Sequence, residues 1–491
     1  MAIDHSRLPT PPSRAIAPQV QAALTRSPVV LVQGPRHSGN LKADATPGLG
    51  ALEGSAAQTD LALQVGGAGR HVVDMNLFAH QLTASRGEAA QLWGQHGQVT
   101  ILDAHRSPAL LAPLAQAAAQ SAPGRFLLTA SIDLAGAMFH SEYGQHSALA
   151  NLPMEVIPLL PPSQMELLGG SNWLHAVFAG KLASLTTPHS LSGQALADRA
   201  LAGGHLESIV RDRPRSRHAW HAKHLEALMD SPPKRRIGAK EEKLLINFPP
   251  PPPSDFSSLR GLHALDKPQK ALPLLQELAR GAGQICNFRQ WGSGLDLDSK
   301  TTERYTYGLQ WMYLVRRLQS VGADDAGFPL KDRLRLVKTD RLHFVDSGVL
   351  GELLEQNTVD AARDAQAQGT VWTPAMAQVL TSFVVAELLA QAAASAGQGS
   401  YRFAHYRDHD QLDVDLIIAN GKDEVVMVDV KAASRLGPPD TRAMAQLADK
   451  LGKQLKLAVI LYDGAETQQV MKFDSGAPLW IAPVSSLWGR V

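Results

Sequence analysis

Three groups of side chains in this chain of 491 residues are of the types that phosphate and metal chemistry uses. The first is Gly34, Pro35, Arg36, His37, Ser38, Gly39, Asn40 and Leu41, which directly follows the β-branched run 28–33. Two glycines with four residues between them, placed after a strand, frame a phosphate-binding loop whose backbone N–H groups cradle phosphate oxygens. A working loop continues with a lysine that reaches the terminal phosphates and a hydroxyl that holds magnesium. Asn40 and Leu41 stand in those two places. An amide carries no positive charge, and leucine cannot bind a metal. Pro47, Gly48 and Gly50 follow closely and disfavour the long helix whose N-terminus would complete the loop.

The second group is the apolar run 99–103, which ends in Asp103. A magnesium-holding acid at the end of such a strand is normally followed by a second acid that activates water; here Ala104 follows. Losing one preorganised charge contact costs about 10²–10³ in rate. Three losses in one site predict no useful turnover. A structural layer without nucleotide and a layer with residual nucleotide binding both remain open on these residues.

The third group lies near the other end. Glu387 falls on the stripe of Leu380, Phe383 and Val384 in an apolar helix predicted over 373–394. A carboxylate there is costly unless it is paired or bound to metal. Asp413 and Asp415 share one face of a strand at 413–418. Asp429 and Lys431 share one face of a strand at 424–431, with Val426, Val428 and Val430 on the other. Acid, acid, then acid-x-Lys on neighbouring strands is the arrangement of restriction-endonuclease-like folds, where carboxylates hold magnesium against a phosphodiester. On that reading Asp415 and Asp429 are metal ligands, Glu387 is a further ligand or orienter, and Lys431 is a general base or charge stabiliser. The other reading is a plain Asp429–Lys431 ion pair in a retained fold.

These groups need a frame. Runs 28–33, 71–74, 99–103 and 126–130 read as strands separated by helical patterns such as 110–120, which predicts a parallel sheet with crossover connections. Residues 171–246 read as mostly helical. His218, His221 and His224 recur there every three residues; the adjacent arginines and Lys223 favour an exposed cluster over a metal site. Five consecutive prolines at 249–253 mark a break. Helical patterns then run through Leu272, Leu275 and Leu278, around Phe288 and Trp291, and on from a capping Asp298. The alternating stretches 315–321 and 334–345 follow. Three helices and a hairpin predict a winged helix with the third helix as recognition element. Lys300, Thr301, Thr302, Arg304, Tyr305 and Tyr307 on that helix, with Lys331, Arg333, Arg335, Lys338 and Arg341 on the wing, point to nucleic acid. The interleaved Asp296, Asp298, Glu303, Asp324, Asp325 and Asp332 point instead to a solvated face or a protein-docking module. The long helix from Pro374, strands at 401–406, 413–418 and 424–431, a helix at 441–451 and a strand at 457–462 make a closing α/β unit.

With a net charge of +1 the chain as a whole is no polyanion binder, so any nucleic-acid surface is local. The single cysteine, Cys286, rules out an internal disulfide framework and a cysteine-based zinc site, and predicts a reducing, cytoplasmic setting. The first thirty residues hold no apolar leader core, and no run approaches the roughly 18 apolar residues of a membrane span, which predicts no membrane partner.

The ordered motifs GPRHSG at 34–39, the segment 102–111, GRFLLTAS at 124–131 and the segment 158–167 together resemble the bacterial AAA-type ATPases that carry a C-terminal domain of unknown function. AGGHLE at 202–207 is similar to their GG-aromatic-PE motif, and LHFVDSG at 342–348 is similar to their LYFVDTG. FVVAEL at 383–388 and VDVK at 428–431 are similar to their NFVxxEL and EVK. The resemblance spans about residues 15 to 488. It implies an α/β chain with an AAA-type, P-loop-like core at 15–170, a helical lid at 171–246, a Pro-rich linker at 247–257, a winged helix at 258–348 and a PD-(D/E)xK-like domain at 370–491. Gly34, Arg36, Ser38, Gly39 and Asn40 then lie at the nucleotide, Asp103 is the magnesium-strand acid and Ser131 takes a sensor position. Asn40, Leu41, Ala104 and the segment 150–154, which lacks the family's arginine, depart from the pattern. The expected function is a catalytically degenerate ATPase-family protein associated with nucleic acid. The alternatives are an interaction scaffold with vestigial sites, and residual ATP binding or hydrolysis. The implied cofactor is magnesium at the C-terminal acids, with ATP in doubt; the implied partners are DNA or a protein at the wing, and further copies in an oligomer.

Overall fold

Strand β1 (Val29–Gln33) is buried along its whole length. Val29 and Leu31 enter one apolar cluster, Val30 and Val32 another, because successive strand side chains point to opposite faces. A strand buried on both faces belongs inside a layered α/β sheet. The computed structural model describes residues 14–35, 56–67, 69–135, 152–211, 213–229, 268–323, 336–356, 369–395, 401–421 and 424–491, with single positions at 328, 358, 361, 363 and 367. Within them β1 pairs in parallel with β4 (Phe126–Ala130) and β5 (Met154–Pro158), and β2 (His71–Asp74) and β3 (Val99–Leu102) complete the sheet in the order β2-β3-β4-β1-β5. Helices α1 (Ala17–Leu24) and α2 (Ala56–Gly66) lie on the face of Val30 and Val32. Helices α3 (Phe78–Ser85), α4 (Ala90–Trp93) and α5 (Leu111–Ala118) cover the other. Strand β5 was not foreseen; its side chains are largely half-buried, so it lacks the continuous apolar run that marks β1 and β4.

Short helices follow: α6 (Gln164–Leu168), α7 (Trp173–Phe178), α8 (Gly193–Ala202), α9 (Leu206–Ile209) and α10 (Pro214–Met229). After them come α11 (Ala271–Arg280), α12 (Phe288–Ser293) and α13 (Ser299–Trp311), the last capped by the Asp298 carboxylate, which accepts from Thr301 N–H at 2.9 Å. Strands β6 (Val315–Leu318) and β7 (Arg341–Phe344) pair antiparallel. Helix α14 (Ser347–Leu353) leads towards α15 (Pro374–Ala393), which starts with Pro374 in its first turn and Thr373 as cap.

The C-terminal sheet is mixed and six-stranded. Strands β8 (Arg402–Arg407), β9 (Asp413–Ala419), β10 (Val425–Lys431), β11 (Leu455–Tyr462), β12 (Gln468–Lys472) and β13 (Pro478–Pro483) lie in the order β12-β13-β11-β10-β9-β8. Helix α16 (Arg442–Leu451) packs on one face and α15 on the other. The last two strands extend the unit beyond the one closing strand expected. Helix α15 also corrects the expectation that no run approaches a membrane span: it is long and apolar enough, with a mean hydropathy of 1.4 over its best window. It is nevertheless a core helix, with 56% of that window buried inside the protein. One apolar cluster runs through Trp173, Leu309, Leu350, Phe383, Val428 and Trp488, so the core passes continuously from the short helices to the C-terminal sheet.

Candidate functional site

At the carboxyl edge of the N-terminal sheet the chain turns at Gly34, whose N–H donates to the Ala130 carbonyl at 3.1 Å. A Cβ at this position would collide with the Leu159 carbonyl, so the turn needs glycine. Gln58 of α2 donates to the Pro35 carbonyl at 2.8 Å. Asp103 leaves β3 in the left-handed region, at φ 53°. Its N–H donates to Thr129 Oγ1 at 2.9 Å. Its carboxylate accepts from Asn76 Nδ2 at 2.8 Å and from Ser131 Oγ at 3.2 Å. His105 Nδ1 and Arg106 Nε stand at 3.9 and 4.0 Å. Gly34, Asp103 and Ser131 are thus brought together where open α/β sheets bind ligands. Arg36, Ser38, Gly39 and Asn40 lie outside the described residues. Asp103 is only 2% exposed, and its carboxylate is already hydrogen-bonded by Asn76 and Ser131. Ala104 is fully buried among Ile101, Leu110 and Leu114.

Sequence reasoning missed the neighbours of this edge. Asn76 bridges Asp74 and Asp103, donating to Asp74 Oδ1 at 2.8 Å. Gln33 donates to Asp133 Oδ1 at 2.7 Å. Burial, and then the Asp133 charge, hold the Tyr313 hydroxyl above its ordinary pKa. A polar Gln33 closing an otherwise apolar strand was the one visible signal.

The second site is built on β9 and β10. Their ladder pairs Val425 with Ala419 through Val428 with Leu416, and ends there although both strands continue. Beyond that point Val430 N–H donates to Asp415 Oδ2 at 2.9 Å. A side chain has taken a bond that a ladder carbonyl would otherwise accept, and the two strands part. Lys431 Nζ lies 2.8 Å from Asp429 Oδ2. Burial, then the Asp415 charge, push the Asp429 pKa up to about 8, with Lys431 opposing them. Asp415, Asp429 and Lys431 are therefore neighbours.

Arg341, from β7, enters this group. Its guanidinium donates to Asp415 Oδ1 at 3.0 Å and to Asp413 Oδ1. Arg407 reaches Asp413 Oδ2 at 3.1 Å. Arg341 is 2% exposed, so the fork of an arginine, which matches carboxylate oxygens, sits where a metal ion would have to sit. Both Asp415 oxygens already have donors, and among the described residues no group of three or more His, Cys, Asp or Glu is arranged to hold a metal ion. The residues present do not fit a magnesium site.

Glu387 is placed elsewhere. Its Oε2 accepts from Gln164 N–H at 2.6 Å, and its Oε1 accepts from Met165 N–H at 3.2 Å and Gln391 Nε2 at 2.9 Å. It caps the first turn of α6, more than two hundred residues away in sequence, rather than joining Asp415 and Asp429. Burial raises its pKa to about 7 against the lowering effect of those donors.

Residues 377–482 match the model of DUF4143, a domain of unknown function, and residues 255–360 match that of DUF8612, also a domain of unknown function. No curated protein matches the chain. Among solved structures, the Walker-type ATPase PABY2304 of Pyrococcus abyssi is similar over 69% of this chain and 94% of its own, at 13% identity and a TM-score of 0.34.

Within the segment matched to DUF8612, several residues read as a nucleic-acid face are used internally. Thr302 and Tyr305 are buried, and Arg341 lies in the acidic seam rather than on a wing. Arg317 stacks over Tyr307 at 4.0 Å and meets Glu303 and Asp340 at 3.4 and 3.7 Å. Both arms of the stretch between β6 and β7 rest on β8: Val321 N–H donates to the His405 carbonyl at 3.0 Å and Val337 N–H to the Arg407 carbonyl at 2.9 Å. Lys331, Arg333 and Arg335 lie outside the described residues.

The histidines of α10 also depart from expectation. His221 and His224 are buried, while His218 pairs with Glu352 at 2.7 Å. The inward face of α10 carries His221 against Gly348, where a Cβ would come within 2.7 Å of the ring. His221 meets Ser208 Oγ at 3.0 Å, and burial pushes its pKa down to about 4. His224 stacks on Trp220 with centroids 4.9 Å apart.

Proposed function

We propose that this chain is a catalytically silent, ATPase-like protein that works by docking rather than by phosphoryl transfer. The observation that carries the reading is Arg341 seated between Asp413 and Asp415. A guanidinium there neutralises the acids from within the chain and ties the β6–β7 hairpin to the C-terminal sheet. The other end supports the same reading. Asp103 is committed to Asn76 and Ser131, and Asn40, Leu41 and Ala104 replace the groups that bind and cleave a terminal phosphate. The partner we favour is a protein. Of the side chains that suggested DNA, Thr302, Tyr305 and Arg341 are buried and Tyr307 is stacked under Arg317.

A second reading, a metal-dependent phosphodiesterase, would require Arg341 to leave Asp413 and Asp415; the parting of β9 and β10 beside Asp415, Asp429 and Lys431 is the observation in its favour. One set of assays separates the two. Purified full-length chain is expected to release no phosphate from ATP above background and to cleave no DNA or RNA with magnesium or manganese. Release that falls with Asp103→Ala, or cleavage abolished by Asp429→Ala, would overturn the silent reading.

A further inference from the structure

The two larger sheets have four edge strands, and an edge strand presents outward N–H and C=O groups to any second chain. Three of the four are protected. The stretch between β6 and β7 rests on β8 through Val321 and Val337. Strand β12 carries Lys472 and a bulge between Gln469 and Met471. Strand β5 carries Glu155 and ends in Pro158, which has no N–H. Strand β2, with the sequence HVVD, has no lysine, proline or bulge. The N–H groups of His71 and Met75 donate across to the Gln98 and Leu102 carbonyls, each at 3.0 Å. Backbone groups alternate in direction along a strand, so those of Val72 and Asp74 face the open side. Apolar surface gathers at this edge. Among the described residues seven large apolar side chains are exposed, and Leu63, Val72, Leu77 and Phe78 are four of them. Val73 enters the cluster under α3 to α5, so Val72, 41% exposed, points to the other face, where α2 carries Leu63. Leu77 and Phe78 follow at the start of α3.

We propose that β2 is a self-association edge, where a second copy of this chain adds its own β2 antiparallel and continues the N-terminal sheet across a two-fold axis. The charges of the strand select a second copy. Arg70 stands at its start and donates to the carbonyls of Val99, Gly124 and Arg125 and to the Thr100 hydroxyl. Asp74 stands at its end and accepts from Asn76. Among the described residues neither charge has an opposite charge in an ion pair. A parallel neighbour sets like ends together, whereas an antiparallel copy sets each acidic end against the other's basic start. The register follows from the backbone. The Asp74 carbonyl already accepts from Leu77 N–H at 3.1 Å. Of the registers a two-fold axis allows, the one centred on Val72 therefore keeps its bonds: each Val72 exchanges N–H and C=O with its twin, and each Asp74 lies across from Arg70. Four residues make a short edge, so the contact is weak, with a dissociation constant on the order of 10 μM. The proposal does not depend on whether the chain is catalytically silent.

Sedimentation velocity of the full chain tests it. A monomer–dimer equilibrium is expected between about 1 and 200 μM. Val72→Lys places on the edge the charge that protected edges carry, and is expected to weaken association about tenfold or more. The position is exposed, so the melting temperature of that variant should stay within about 2 °C of the parent's. Val72→Cys gives a second, positional readout. The register sets the two Cα atoms about 5.5 Å apart, within reach of a disulfide. Mild oxidation should therefore link Val72→Cys chains into a covalent dimer and leave Val470→Cys chains, altered on β12, as monomers. The natural Cys286 is buried and does not compete. A chain that stays monomeric throughout the range would overturn the proposal and leave the edge to a different protein or to solvent. Association that Val72→Lys leaves unchanged would place the contact elsewhere, and equal cross-linking of the two cysteine variants would do the same.

Discussion

Arg341 meets two carboxylates from one strand, and its removal leaves Asp415 without its arginine while Asp413 keeps Arg407. Asp415 is 18% exposed and Asp413 35%, so water compensates one better than the other. Breaking a largely buried pair by removing one partner costs about 3–5 kcal/mol, and partial exposure lowers that here. Arg341→Met is therefore expected to destabilise the chain by about 2–4 kcal/mol in urea unfolding. Adding Asp415→Asn should recover about 1–2 kcal/mol, the coupling of a contacting pair. A strictly additive double variant would show that the two side chains do not interact energetically. Sequence alone could not place this residue. Arg341 stood in a basic run with Lys331, Arg333, Arg335 and Lys338, and nothing in that run marks the one arginine that turns inward.

Helices α15 and α6 are joined by Glu387, which makes the contact sensitive to pH. Its pKa rises from an ordinary 4.5 to about 7 in the folded chain. A carboxyl with a raised folded pKa contributes stability that is complete below pH 4.5 and is lost as pH climbs through 7. The full swing is about 3 kcal/mol. The buried histidines act with the opposite sign. Burial first, then Arg341, depress His343 and His405 to about 3, and burial depresses His221 to about 4. Their contribution is complete above pH 6.5 and fades as pH falls towards those values. Three histidines outweigh the one carboxyl where the windows overlap, so melting temperature is expected to rise with pH to about 6.5 and to fall above it as Glu387 and Asp429, raised to about 8, lose their protons. Glu387→Gln should steepen the rise between pH 4.5 and 6.5; an unchanged slope there in that variant would remove Glu387 as a contributor. At this scale the chain was partly legible. Strands β1 to β4 announced themselves by apolar, β-branched runs, and α15 by Pro374 and a long apolar pattern. Strand β12 did not, because every one of its residues is exposed and its sequence, QQVMK, carries no inward face. Glu387 was legible as a carboxylate needing a partner, but the partner lies at residues 164 and 165, beyond any local pattern.

In the whole molecule the parts share one interior. The largest apolar cluster links Trp173 to Trp488 through α13, α14 and α15. Trp488 also donates from its indole to the His189 carbonyl at 2.9 Å, and Arg490 N–H donates to the Thr186 carbonyl at 2.7 Å. The end of the chain is thereby pinned to the segment after α7. Residues 171 to 491 are expected to unfold in a single calorimetric transition. One apolar cluster of the N-terminal sheet takes in Trp311 of α13, and the Glu387 cap on α6 adds a polar link beside that contact. Gln391 keeps its bonds to the Leu487 carbonyl and the Trp173 N–H, but Glu387→Ala leaves two α6 N–H groups unpaired, at about 1–3 kcal/mol each. It should separate an earlier transition of the sheet from that of the remainder. A single unsplit transition in this variant would show that the apolar contacts alone hold the two together.

Ala104 is fully buried in the same apolar cluster as Ile101, Leu110 and Leu114. A glutamate placed there would have to put its charge into hydrocarbon, at several kcal/mol. The close packing that keeps the sheet folded therefore excludes an ionised acid from the position after Asp103.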